Sequence, residues 1–247
     1  MDEFERRLRR ARIHLDDLEA KVNEFKSLNP HGTLAELDPE RGRYVFKVTP
    51  LPPLDPDFGL IAADFVNNLC ALLDNVVWEL APAVLKRSKC LAFPVCASRE
   101  RFQRFAQTCL KGLDPRVIAV LERHQPYTRR PEEVQHDRLL ILRNMWVADK
   151  HHAPMGVTSW AIAASMAAYG DFPEFFMRFG PFREGQVIGW AGLDGDVQGG
   201  PKPRIALDIG FKTRRPSMNV PRHALAKMYD IVSNEVLPDL RPFQNGG

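Results

Sequence analysis

The stretch LRNMWVADKHHAP, residues 142–154, divides the chain into two textures. It is apolar on most sides, so it reads as the end of a helix central to the fold. Pro154 closes it, because proline lacks the N–H that a continuing helix needs. Its last turn gathers Asp149, Lys150, His151 and His152 at the end of a buried element. Upstream the apolar spacing is helical, and downstream it alternates. The fold class rests on that change.

Working back, Pro131-Glu132-Glu133 reads as the start of this helix, with acids where the helix dipole favours them. Asp114-Pro115 and Ser98 open two earlier helices, ending before Pro126 and near Lys111. CLAFPVC (90–96) reads as extended. Asp55-Pro56 has the form of a helix start, and a long helix follows to about Leu80. RYVFKVTPLPP (43–53) reads as a strand. At the N-terminus Phe4, Leu8, Ala11, Leu15, Leu18, Val22 and Phe25 recur at four-three spacing, a heptad seam that needs an apolar partner.

After Pro154, VTSWAIAASMAAY, EFFMRFGPF, QVIGWAG and PRIALDIGFKT read as strands, with Arg183-Glu184-Gly185 as a turn and DGDVQGGPKP as a loop. A last helix spans about Pro221 to Val236. The whole is α+β. A helical bundle with a long N-terminal helix packs with an antiparallel sheet formed mainly by residues 157–213, and a C-terminal helix closes the chain. No Gly/Ser linker interrupts it, so residues 1–247 form one domain: helix 1–29, helical core 55–152, sheet 157–213, helix 220–237.

Composition narrows the function classes. The net charge of +3 excludes a chain that grips nucleic acid over its whole surface. The Arg6–Arg12 run reads as a solvated face, because Asp2, Glu3 and Glu5 pair with it at i,i+4. The charged N-terminus reads as lacking a signal peptide, and GVTSWAIAASMAAYG is too short to span a bilayer, so the expectation is a cytoplasmic protein with no membrane partner. Cys70, Cys90, Cys96 and Cys109 show no metal spacing and are expected as free thiols. No nucleophile elbow, phosphate loop, dinucleotide fingerprint or paired-histidine zinc helix is present.

The chemistry concentrates on two helices. On the helix ending near Leu80, Asp64, Asn68, Asn75 and Glu79 form a polar ribbon beside the apolar face of Ile61, Phe65, Leu69, Leu72, Val76 and Leu80. Asn144 and His151, seven apart, share a face of the later helix, so packing the two brings Asn68 and Asn75 toward Asn144 and His151. Such a seam is either a structural hydrogen-bond network or a ligand cleft with His151 as acid–base and Asp64 orienting it. Asp149, His151 and His152 are a weak metal set, since adjacent histidines on a helix point about 100° apart. No cofactor is expected.

The order HLDDLEAKVNEF (from His14), NNLCALLDNVVWEL (from Asn67), FPV (from Phe93), QPY (Gln125 to Tyr127) and RNMWVADKHH resembles a family of uncharacterised bacterial proteins. That family's first motif in turn resembles the Arg-x4–6-His signature of HEPN (higher eukaryote and prokaryote nucleotide-binding) helical domains, many of them metal-independent ribonucleases. The resemblance implies a helical cleft in which Arg and His act on RNA. Here Cys70 and Asn75 stand at those positions. Neither supplies a fixed positive charge or a proton exchanged near neutral pH. Three expectations follow: a noncatalytic HEPN-like protein binding a nucleotide, RNA or protein partner; a small-molecule enzyme using His151; or a homodimer joined through the N-terminal helix.

Overall fold

The heptad seam of the first helix closes on the chain's own long helix. This computed structural model describes residues 3–28, 33–49, 53–151, 154–167, 174–178, 180–192, 202–214 and 217–244. Helix α1 (Glu3–Leu28) lies antiparallel to α2 (Asp57–Leu80), with Phe25 near the end of one meeting Phe58 at the start of the other, ring centroids 5.7 Å apart. Ala11, Leu15, Leu18 and Val22 are buried in the same core as Phe65, Leu69, Leu72 and Val76. Each of the larger side chains contributes roughly 1.5–3 kcal/mol through burial. The seam is therefore filled within one chain.

Among the described helices α2 alone is long and apolar enough to cross a membrane, and 56% of that apolar window is buried inside the protein. Its start is fixed by Asp55, whose Oδ1 accepts the Asp57 N–H at 2.9 Å. Helices α3 (Arg99–Cys109) and α4 (Pro115–Arg123) begin as the sequence suggests, capped by Ser98 and Asp114. A short α5 (Pro126–Arg129) follows. Helix α6 runs Arg138–His151 and corrects the expected start at Pro131. Asp137, 1% exposed, is the reason: its Oδ1 accepts the N–H of Leu139 at 2.9 Å and of Leu140 at 3.3 Å. Arg129 pairs with its other oxygen. Residues 134–136 form only a 3-10 turn.

Among the described residues the strands form two four-stranded antiparallel sheets rather than one. A hairpin of β1 (Thr33–Asp38) and β2 (Arg43–Val48) was expected only in its second strand. Strands β3 (Gly156–Ala167), β4 (Phe175–Met177), β5 (Gly180–Pro181), β6 (Val187–Gly192), β7 (Lys202–Arg214) and β8 (Ser217–Pro221) follow. The first sheet has the order β1-β2-β6-β4 and the second β5-β3-β7-β8. The strand at Val45 thus pairs with Trp190, joining the early hairpin to strands from the sheet region. Ile209, Phe211 and Val220 of the second sheet enter the helical core. Phe46, Val48, Phe182, Ile188 and Ala191 make a smaller core on the first.

Helix α7 (His223–Ile231) continues through a π turn (Val232–Val236) into α8 (Leu237–Leu240), so the closing helix ends four residues later than expected, and Pro221 ends β8 instead. Its buried residues, including Leu225, Met228, Val232 and Leu240, share the core with the α1 seam. One further expectation is corrected. Cys90 and Cys109 form a disulfide, while Cys70 and Cys96 remain thiols. Most of the loop DGDVQGGPKP lies outside the described residues.

Candidate functional site

Helices α1, α2 and α6 converge on a cleft of about 610 Å³. On α2, Asn67, Asn68, Asp74 and Asn75 line it at helical spacing, with the small Ala71 leaving room between them. Arg7 enters from α1, and Trp146, Asp149 and Lys150 from α6. Asn68 donates Nδ2–H to the backbone oxygen of Asp64 at 2.8 Å, which fixes its amide along the helix.

Asp74 ties the cleft to its surroundings. Its Oδ1 accepts the N–H of Phe93 at 2.9 Å, and its Oδ2 lies 3.6 Å from Nη1 of Arg143 on α6. Burial raises the Asp74 carboxyl above its usual range, opposed by the Phe93 N–H and by Arg143. Arg143 also lies over the Trp146 indole, Cζ 4.3 Å from the ring centroid, and Lys150 Nζ lies 4.4 Å from the same centroid. Two cations are thus held at one aromatic ring. Asp149 is raised by burial, with the Met155 N–H opposing this and Asp64 adding to it. His14 on α1 is lowered, first by burial and then by Arg10, with Asp64 and Asp17 acting against both.

Of the expected α2 residues, two meet in the cleft. Asn68 and Asn75 line it, whereas Asp64 is exposed and stands outside its lining. Glu79 instead faces Lys86 at 3.9 Å. The α6 half is corrected. Asn144 points to strand β8, its Nδ2 3.9 Å from Met218 Sδ, and His151 is exposed at the rim with its ring edge-on to Trp146 at 6.1 Å. Neither lines the cleft with Asn68 and Asn75. One residue along a helix turns about 100°, so the cleft-facing side of α6 carries Trp146, Asp149 and Lys150 rather than Asn144 and His151. His152 lies outside the described residues, and among those described no group of three or more His, Cys, Asp or Glu is placed to hold a metal.

Sequence reasoning missed Arg7, Asn67, Asp74, Trp146 and Lys150. Asn67 and Asp74 had a signal, since each precedes a residue of the asparagine ribbon. Arg7 was absorbed into the arginine run, and Lys150 into the polar last turn of its helix. Asn75 lines the cleft, and Cys70 is buried behind it. Burial pushes the Cys70 thiol up to about 12, so it stays neutral, and Arg143 supplies the positive charge beside it from the other helix.

No family model matches the chain, and no curated protein or solved structure matches it.

Proposed function

We propose that this is a noncatalytic, HEPN-like binding protein whose α1–α2–α6 cleft takes a nucleotide unit, free or within an RNA strand. One observation carries the reading: the amides of Asn67, Asn68 and Asn75 share a cleft with the cations Arg7 and Lys150. Amides offer both donors and acceptors to a base edge or a ribose hydroxyl. Cations offset the phosphate charge. Arg143, held by Asp74 and Trp146, positions the α6 wall rather than contacting the ligand.

The noncatalytic half follows from the two substituted positions. Cys70 is buried and neutral, and Asn75 exchanges no proton near neutral pH. Calorimetric titration with adenosine, guanosine, cytidine and uridine monophosphates, and with a short single-stranded RNA, tests the proposal. Asn75→Ala and Lys150→Glu should each weaken binding about tenfold, the equivalent of one hydrogen bond to a charged or polar group. The RNA should be recovered intact. Binding that ignores both substitutions, or RNA cleavage by the purified protein, would overturn the reading. The two ligand types separate free nucleotide from RNA.

A further inference from the structure

The segment between α2 and α3 is tied to the protein at successive points. Cys90, exposed, is bonded to Cys109 at the buried end of α3, Cα atoms 5.4 Å apart. Three residues on, the Phe93 N–H donates to Asp74 in the cleft wall. Next, the Pro94 oxygen accepts from Nε2 of Gln125 and the Cys96 N–H donates to its Oε1, both at 2.9 Å. Gln125 is fully buried and also donates to Leu121, so this last clamp is firm. Among these ties the disulfide alone is covalent, and of its two cysteines Cys90 is the exposed one, the side from which a small thiol reaches the bond.

We infer that Cys90–Cys109 is a redox-sensitive brace that holds Phe93 on Asp74 and so sets one wall of the cleft. Its bearing on ligand binding rests on the cleft reading above; its structural action does not. The co-reactant is a low-molecular-weight thiol of the glutathione class. Its thiolate attacks Cys90 Sγ, the Cys90–Cys109 bond breaks, and Cys109 leaves as a thiolate that takes up a proton. A second thiol attacks the small molecule's sulfur in the mixed disulfide, forming the oxidised small-molecule disulfide. Cys90 leaves as a thiolate and is protonated. Two electrons pass to the protein, and two small thiols are oxidised to one disulfide.

With the brace cut, the chain leading into Phe93 loses its covalent anchor. The Phe93 N–H then leaves Asp74 more often, and the carboxylate loses one of the groups that lowers it. The wall loosens at the residue that also holds Arg143.

Amide hydrogen exchange at Phe93, with alkylation mass after denaturation, tests the inference on the full chain. Protein held with oxidised glutathione should alkylate only at Cys70 and Cys96, the two free thiols. After reduced glutathione it should alkylate at all 4 cysteines, and Phe93 exchange should speed up at least tenfold. Cys90→Ser should exchange quickly at Phe93 with or without reductant. Four free thiols under oxidising conditions, or Phe93 exchange unchanged on reduction of the wild-type protein, would overturn the inference. These readouts contain no ligand, so they do not depend on whether a nucleotide binds.

Discussion

Asp74 Oδ2 and Arg143 Nη1 lie 3.6 Å apart, and this pair joins the asparagine-bearing helix to the helix that presents Trp146 and Lys150. Both side chains are a little over one quarter exposed (29% and 28%), so the pair is neither free in solvent nor fully desolvated. Arg143→Ala leaves the Asp74 carboxylate without its cation and should cost about 2 kcal/mol at pH 7, between exposed and buried pairs. The cost should be smaller at pH 5 than at pH 7, because loss of Arg143 raises the Asp74 carboxyl further and so favours its neutral form as pH falls. Urea unfolding at the two pH values checks both parts.

Stability should fall as pH drops below about 6.5, the ordinary histidine value. His124 is 4% exposed, and its burial lowers its pKa against the opposing pull of Asp239, whose Oδ2 lies 2.8 Å from Nε2. Burial also comes first in lowering His14 and His223. The unfolded chain then takes up protons before the folded one, so the stability is full above the unfolded value and is lost as pH falls. Burial alone would raise Asp239, but its bonds to His124 and Arg123 outweigh that and lower it, adding the same trend at more acid pH. Asp74, raised by burial, runs the other way. Melting temperatures at pH 7.5, 6.5 and 5.5 should show the fall, with a shallower slope in His124→Gln.

Asp137→Ala should cost about 2–3 kcal/mol, because it removes the N-terminal cap of α6 and leaves Arg129 with one fewer carboxylate. Asp137→Asn keeps an oxygen for the cap and should cost less. Denaturant midpoints of the two variants test the order, and equal losses would contradict the capping role.

Gly59→Ala should lower the melting temperature although alanine favours helix by about 1 kcal/mol. A Cβ at this position would lie 2.2 Å from the Met155 carbonyl oxygen, so the backbone between α6 and β3 must move away. Overpacking of this kind costs roughly 1–3 kcal/mol. A stabilised variant in a thermal melt would show that α2 does not approach this closely.

Periodicity made the helices legible. The α1 seam and the α2 face read correctly because every residue in them obeys one spacing. The start of α6 did not, because a proline and two glutamates look like a helix start while the buried Asp137 does the capping. Alternation revealed most strands, but it says nothing about which strands pair. The division of the sheet region between two sheets is a long-range choice. The site was half legible for a similar reason: Asn68 and Asn75 declare their own face, whereas α6 is apolar nearly all round and gives no rotation, so Asn144 and His151 were placed on the side that Trp146, Asp149 and Lys150 occupy. The Cys90–Cys109 bond depends on the end of α3 coming back beside the segment that precedes the helix, which no spacing encodes.

The measurement nearest the central claim is a 15N-labelled NMR titration with a nucleoside monophosphate, following the side-chain amides of Asn67, Asn68 and Asn75 and the indole N–H of Trp146. The cleft reading predicts saturable shifts concentrated on these signals, saturating at about tenfold higher nucleotide in Lys150→Glu, with the nucleotide chemically unchanged afterward. Saturable shifts confined to another surface, or no shifts at millimolar nucleotide, would contradict it.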